Sequence, residues 1–149
     1  MKLAIGSDHA GYRLKSRLVT WLRSPAGGRH QVKDTGTDTL DSCDYPDFAE
    51  AVARNVTRGA ASRGILICGT GIGMAIAANK VRGIRAAVTW NPATAALAAE
   101  HNAANVLCIP SRFVGPSKAQ AMVRAFLNTP FGGGRHNRRV GKIKKLDKK

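Results

Sequence analysis

The sequence has few of the residues on which several classes of protein depend. Only 5% of its 149 residues are aromatic, and three are cysteines without a regular spacing, which argues against a disulfide framework. No apolar run approaches the roughly 20 residues of a membrane span, and the apolar start of the chain gives way at once to Asp8 and His9, unlike a secretory signal. We therefore expect a cytoplasmic chain with free thiols and no membrane partner.

Acidic residues are scarce as well. Nine Asp and Glu stand against 24 Lys and Arg, which gives a formal net charge of +15. This balance suits an anionic small molecule or a polyanion. Residues 135–149 hold eight of the basic residues, and we expect them to form a basic helix or tail exposed to solvent. The chain has no nucleic-acid recognition motif, so nucleic acid is not the partner that we expect.

No Asp or Glu occurs between Glu50 and Glu100, although a glycine-rich segment, Gly64–Lys80, lies there. A dinucleotide site needs an acidic residue about 20 positions after its glycines, and its fingerprint is G-x-G-x-x-G rather than the G-x-G-x-G found here. The turn also lacks the Gly-Lys-Ser/Thr ending of a P-loop. The sequence of this segment therefore argues against a dinucleotide site and against a P-loop.

What the segment does contain is a buried strand ending at Cys68, a turn with glycines at 69, 71 and 73, and an Ala-rich helix. The amides of such a turn and the helix N-terminus carry partial positive charge, which attracts anions and favours a thiolate. Cys68 is therefore a candidate base or nucleophile that faces an anion hole. The alternative is an ordinary small buried residue at a strand-to-helix turn.

Strand-like and helical segments alternate along the chain, which predicts a parallel sheet with helices on both faces. No repeat or linker divides residues 1–149, so we expect a single domain. The predicted strands are Lys2–Gly6, Gln31–Asp34, Ile65–Cys68, Ile84–Thr89 and Asn105–Pro110. The predicted helices are Tyr12–Leu22, Pro46 to about Arg58, the one after the glycine turn, Pro92–Ala103, Pro116–Asn128 and a basic one after Gly134.

In a parallel sheet, ligands bind beyond the carboxyl ends of the strands. That rule places Ser7–His9, Cys68–Thr70, Trp90 and Ser111–Arg112 at one edge. Asp8 has a simpler interpretation as a cap of the helix that starts near Gly11. A series of five aspartates between 34 and 47 lacks the spacing of a calcium loop, and no residues have the spacing of a zinc site, so we expect no metal.

Five ordered motifs resemble those of type B ribose-5-phosphate isomerase and its relatives, the galactose-6-phosphate isomerase subunits. They are Ile5–Gly11, Asp44–Asp47, Gly64–Lys80, His101–Asn102 and Gly133–Arg139. The resemblance covers nearly the whole chain. It implies a Rossmann-like three-layer α/β/α sandwich with five parallel strands, in a homodimer that sometimes pairs into a tetramer.

The resemblance also implies the reaction, the interconversion of ribose 5-phosphate and ribulose 5-phosphate through an enediolate without a cofactor. Cys68 matches the base, Thr70 a proton shuttle, and His101 the acid that opens the sugar ring, with Asp8 as its counterpart. The resemblance further implies an active site at the subunit interface, with His101 and Asn102 from the neighbouring subunit. The implied substrate-binding residues are Asp8, His9, Tyr45, Gly69, Thr70, Gly71, Ile72, Gly73, Asn102, Arg112, Arg135 and Arg139.

Three points stay open in the sequence. A hexose-phosphate isomerase acting on allose or galactose 6-phosphate would carry the same motifs, and a non-catalytic anion- or nucleic-acid-binding protein is the alternative of another class. Ala103 replaces the aspartate that often follows the His-Asn pair, and His101 by itself is also typical of a helix C-terminus. Trp90 is either a packing residue or one that reshapes the sugar end of the site.

Overall fold

The chain alternates strands and helices in a computed structural model that describes residues 1–147. The strands are β1 (Lys2–Ser7), β2 (Gln31–Asp34), β3 (Arg63–Cys68), β4 (Ala86–Val88) and β5 (Val106–Pro110). The helices are α1 (Tyr12–Arg23), α2 (Tyr45–Thr57), α3 (Ile72–Ala78), α4 (Pro92–Asn102), α5 (Pro116–Asn128) and α6 (Arg135–Leu146). A 3₁₀ turn, Pro25–Gly27, precedes β2.

The five strands form one sheet in the order β2-β1-β3-β5-β4, and every neighbouring pair is parallel. The last residue of β3, Cys68, lies opposite the last residue of β5, Pro110. All carboxyl ends therefore meet at one edge, and the helices return the chain to the other edge. This arrangement confirms the predicted α/β class with a five-stranded parallel sheet.

Apolar side chains fill both faces of the sheet. On one face, Leu18 and Leu22 of α1 pack with Phe126 of α5 and the alanines of α4 over Ile65 and Ile67 of β3. On the other face, α2 and α3 contribute mainly small residues that pack over Leu66 and Cys108. Helices α1, α4 and α5 thus cover one face of the sheet and α2 and α3 the other, which gives three layers. No helix within residues 1–147 is long and apolar enough to cross a membrane.

Most predicted boundaries lie within two residues of those observed, and Gln31–Asp34 and Pro116–Asn128 are unchanged. The predicted strand Ile84–Thr89 is shorter, Ala86–Val88. Side chains explain its start, because Asn105 Oδ1 accepts a hydrogen bond from the amide of Arg85 and Asn79 Oδ1 accepts one from the amide of Ala86.

The basic C-terminal segment is helical, and Val140 is its one buried residue among those described. The lysines at 142, 144 and 145 are exposed, as predicted for a solvent-facing end. Lys148 and Lys149, which belong to the same prediction, lie outside the described residues.

Candidate active site

The Cys68 thiol lies at the carboxyl end of β3 and is 5% exposed. The amide of Gly71 donates a hydrogen bond to its Sγ at 3.1 Å. Thr70 stands between them, and its Oγ1 accepts a hydrogen bond from the amide of Ile72 at 3.3 Å. The Cys68 sulfur therefore faces a backbone N–H donor of the glycine turn.

Two glycines of the turn leave room for side chains from other parts of the chain. A Cβ atom at Gly69 would lie 3.0 Å from Arg112 Nε, and one at Gly73 would lie 2.6 Å from Tyr45 Cζ. The third glycine, Gly71, has a φ of +76°, which disfavours any side chain. The glycines thus let Arg112 and Tyr45 lie directly against the backbone of the turn.

Asp8 and His9 follow β1 at the same edge. Asp8 is 7% exposed, and its Oδ1 accepts a hydrogen bond from the amide of Gly11 at 3.1 Å. This bond closes the turn before α1, but the N-cap of α1 is Gly11 and no side chain caps the helix, so the predicted capping role of Asp8 was wrong. Its other carboxylate oxygen has no hydrogen bond to another described residue, and it leaves Asp8 a second acceptor for a ligand.

His9 is oriented by a residue that sequence reasoning left without a role. The amide of Cys43 donates to His9 Nδ1 at 3.3 Å, and the Cys43 sulfur lies 3.9 Å from the same nitrogen. Because Nδ1 accepts a hydrogen bond, the proton of a neutral His9 ring belongs on Nε2. His9 therefore presents an N–H donor away from the loop that holds it, as an anion site requires.

Ser111 links the loops that carry these residues. Its hydroxyl lies 3.0 Å from the carbonyl oxygens of both Ala10 and Cys68. The loops after β1, β3 and β5 are thereby joined at one point. We call the resulting group of residues at the carboxyl ends of the strands the carboxyl-edge cluster: Asp8, His9, Tyr45, Cys68–Gly73 and Arg112.

The remaining predicted residues lie elsewhere in the chain. His101 and Asn102 end α4, where Ala103 adopts a left-handed conformation with φ of 48° before β5 begins at Val106. His101 and Asn102 therefore lie near the amino ends of the strands. Cys68, by contrast, pairs with Pro110 at the carboxyl end of β5. At 3.3 Å per residue, Pro110 lies about 13 Å along the strand from Val106 at its amino end.

His101 stacks on a histidine of α6. The ring centroids of His101 and His136 are 4.2 Å apart, and the ring planes differ by 13°. Arg135 and Arg139 belong to the same helix as His136. We call this group the helix-end cluster: His101, Asn102, Arg135, His136 and Arg139. His136 was missed as a site residue, although it lies inside the C-terminal motif Gly133–Arg139.

The charge state of His136 follows from its surroundings. Partial loss of water around the ring lowers the pKa of His136, and the nearby charges of His101, Arg135 and Arg139 lower it further. Glu100 acts in the opposite direction. On balance these effects favour the neutral form of the ring.

The other two cysteines differ from Cys68 in their burial. Cys108 is fully buried on β5, and burial raises the pKa of its thiol, with a further contribution from Cys68. Cys43 is partly exposed, and all three cysteines are free. Within residues 1–147, no group of three or more His, Cys, Asp or Glu side chains is arranged to hold a metal ion.

Trp90 follows β4 at the carboxyl edge, and 49% of its surface is exposed. The rest of its surface is covered by the chain, so packing also remains an interpretation of Trp90. Its role in the choice of sugar remains a prediction.

The chain is also similar to known proteins. A family described as Ribose/Galactose Isomerase matches residues 3–143. A probable ribose-5-phosphate isomerase B of Mycoplasma pneumoniae is 49% identical over 93% of this chain and 90% of its own length.

Two solved structures are also similar. Ribose-5-phosphate isomerase B of Clostridium thermocellum superposes with a TM-score of 0.95 at 49% identity, covering 99% of this chain and 98% of that one. The enzyme of Mycoplasma genitalium, solved with bound ribulose-5-phosphate, has a TM-score of 0.93 at 45% identity, with 99% and 97% covered. The chain therefore belongs to the ribose/galactose isomerase family.

Proposed function

We propose that this protein is an aldose-ketose isomerase that interconverts ribose 5-phosphate and ribulose 5-phosphate. The observation that carries the proposal is the Cys68 thiol, held 3.1 Å from the Gly71 amide in a turn open to Tyr45 and Arg112. The ribulose-5-phosphate bound to the Mycoplasma genitalium relative supports the choice of a five-carbon substrate.

In the proposed reaction, Cys68 removes the proton from C2 of the open-chain aldose and returns it to C1. The electron pair of the broken C–H bond passes into an enediolate, and no oxidant or reductant is needed because hydrogen moves as a proton. The amides from Gly69 to Gly73 stabilise the enediolate charge, an effect worth roughly 3–4 kcal/mol for a single well-placed donor elsewhere. Thr70 transfers the proton between O1 and O2.

Phosphate binding divides between the two clusters. His9 offers its Nε2–H and Arg112 its guanidinium at the carboxyl edge, whereas Arg135 and Arg139 belong to the helix-end cluster. Arginine suits the task because its planar fork matches phosphate oxygens. A single chain cannot bring both pairs to one phosphate, since they belong to opposite edges of the sheet.

We propose that the protein forms a homodimer, in which the two pairs of phosphate ligands come from different subunits. The helix-end cluster of one subunit completes the carboxyl-edge cluster of the other, so that His101 and Asn102 reach the substrate from the neighbouring subunit. There His101 opens the sugar ring with Asp8 as its counterpart.

An exposed apolar face next to the glycine turn supports such a dimer. Ile72 and Ile76 are one helical turn apart on α3, and they are 51% and 59% exposed. Because each is already about half covered, complete burial by a second subunit would contribute about 0.8–1.5 kcal/mol per side chain. We further propose that the dimer works in the cytoplasm, where the three free cysteines remain reduced.

Formation of ribulose 5-phosphate from ribose 5-phosphate by the purified protein tests the proposal. The assay compares wild type with Cys68→Ala and uses Cys108→Ala as a matched control, because that change also removes a buried thiol. We expect Cys68→Ala to lower kcat by roughly 10²–10⁴-fold, the usual contribution of a general base, and Cys108→Ala to stay within a few-fold of wild type.

Equal turnover in wild type and Cys68→Ala would remove Cys68 from the role of base. An inactive wild type would overturn the pentose reaction, and allose and galactose 6-phosphate are then the substrates to assay.

A further inference from the structure

The stack of His101 on His136 joins two helices whose contacting residues are 35 positions apart in the sequence. The rings are nearly parallel, at 13°, and their centroids are 4.2 Å apart. No hydrogen bond from another described residue fixes either ring. Among the hydrogen bonds, ion pairs and ring contacts of residues 1–147, the flat contact with His136 is the one that involves the His101 imidazole.

The charges around the pair determine what this contact can do. His136 faces Glu100 and His101 from α4, and Arg135 and Arg139 from its own helix. Partial loss of water, with the balance of these charges, lowers the pKa of His136 and favours its neutral ring. A neutral ring can stack on His101 whether or not His101 carries a proton, whereas a second imidazolium would repel it.

We infer that His136 is a positioning residue, which holds the ring of His101 in the plane needed to open the sugar ring and takes no part in proton transfer between C1 and C2. This inference rests on the proposed function and assigns a role to a residue outside the predicted site.

The two chemical steps can be measured separately. Ring opening breaks the bond between C1 and the ring oxygen O4; O4 gains a proton and the C1 hydroxyl loses one. Ribulose 5-phosphate has no such ring, because the oxygen that would close it carries the phosphate. Exchange of its C1 hydrogen with solvent therefore requires the Cys68 base and the glycine turn but no ring opening.

The experiment compares wild type, His136→Ala and His136→Phe in two assays. The first is turnover of ribose 5-phosphate, and the second is incorporation of deuterium from D2O into C1 of ribulose 5-phosphate. We expect His136→Ala to lower the first by about 100-fold, since a misplaced catalytic group costs about that factor, and to leave the second within about three-fold of wild type. Phenylalanine keeps a flat neutral ring, so His136→Phe should recover most of the lost turnover.

Three results would overturn the inference. An equal loss in both assays would mean that His136 binds the substrate or supports the fold, and thermal unfolding of the variants would tell which. Turnover in His136→Phe as low as in His136→Ala would mean that a ring nitrogen is needed rather than the ring plane. Unchanged turnover in His136→Ala would remove His136 from the reaction.

Failure of the proposed function has a different signature. A wild-type protein that neither turns over ribose 5-phosphate nor exchanges the C1 hydrogen would overturn the isomerase proposal before any variant is compared. Wild-type activity in both assays leaves the inference to be decided by the variants alone.

Discussion

The two clusters of this protein are held in place in different ways. In the carboxyl-edge cluster, Asp8 and Cys68 are almost fully buried and bond to backbone amides three residues away. In the helix-end cluster, His101 and His136 are only partly buried, and a ring stack between two helices holds them. The environment of the proposed base is thus set by its own turn, whereas that of the proposed acid depends on how α4 and α6 pack.

The two clusters should therefore differ in how well they tolerate substitutions nearby. Local hydrogen bonds to buried backbone are rigid, because an unpaired buried group is costly. A stack of half-exposed side chains is weaker and more easily displaced. The carboxyl-edge cluster should therefore survive changes in α6 that abolish the function of the helix-end cluster.

Removal of one arginine from the helix-end cluster should have the largest effect on substrate binding. Arg139→Ala deletes a proposed phosphate ligand, and Arg138→Ala deletes its exposed neighbour as a matched control. A hydrogen bond to a charged group contributes about 1.5–3 kcal/mol, so we expect KM for ribose 5-phosphate to rise about 10- to 100-fold in Arg139→Ala. Equal KM values in the two variants would contradict the assignment of Arg139.

A change beneath the carboxyl-edge cluster should act on stability instead. A Cβ at Gly11 would lie 2.5 Å from the carbonyl oxygen of Ile67, whereas one at Gly115 meets nothing within 4 Å. We expect Gly11→Ala to lower the free energy of unfolding in urea by about 1–3 kcal/mol, because backbone must shift to admit the methyl group. Gly115→Ala serves as the control, and a similar loss in both would show that the close contact is unimportant.

The smallest expected effect is the pH dependence contributed by His136. Its pKa in the folded chain lies below the ordinary value of 6.5, so the unfolded chain binds more protons as the pH falls through that range. Folding stability from this residue is therefore fully present above about pH 6.5 and decreases below it. Urea midpoints between about pH 7 and pH 5 should fall less in His136→Phe than in wild type; an equal fall would contradict the lowered pKa.

The sequence predicts best where chemistry is local. Cys68 and the Gly71 amide that faces it are three residues apart, so one short segment was enough to predict the strand, the turn and their contact. The parallel sheet and most element bounds follow from hydrophobic periodicity for the same reason.

Contacts between distant segments were not predictable in this way. Cys43 meets His9 across 34 positions, and His136 meets His101 across 35. Lys15 is a further case, because this charged residue of α1 is buried at 2% exposure and its Nζ lies 2.6 Å from Asp34 Oδ2. Local periodicity carries no information on such pairs. The assignment of His101, Arg135 and Arg139 to the site came from the family resemblance alone.

We propose that each active site takes its base from one subunit and its ring-opening acid from the other. Mixing two inactive variants, Cys68→Ala and His101→Ala, after joint unfolding and refolding tests it most directly. In a mixed dimer one site would combine the intact Cys68 of one chain with the intact His101 of the other. Random pairing then predicts about one quarter of wild-type turnover of ribose 5-phosphate. Turnover no higher than the sum of the separate variants would contradict the claim.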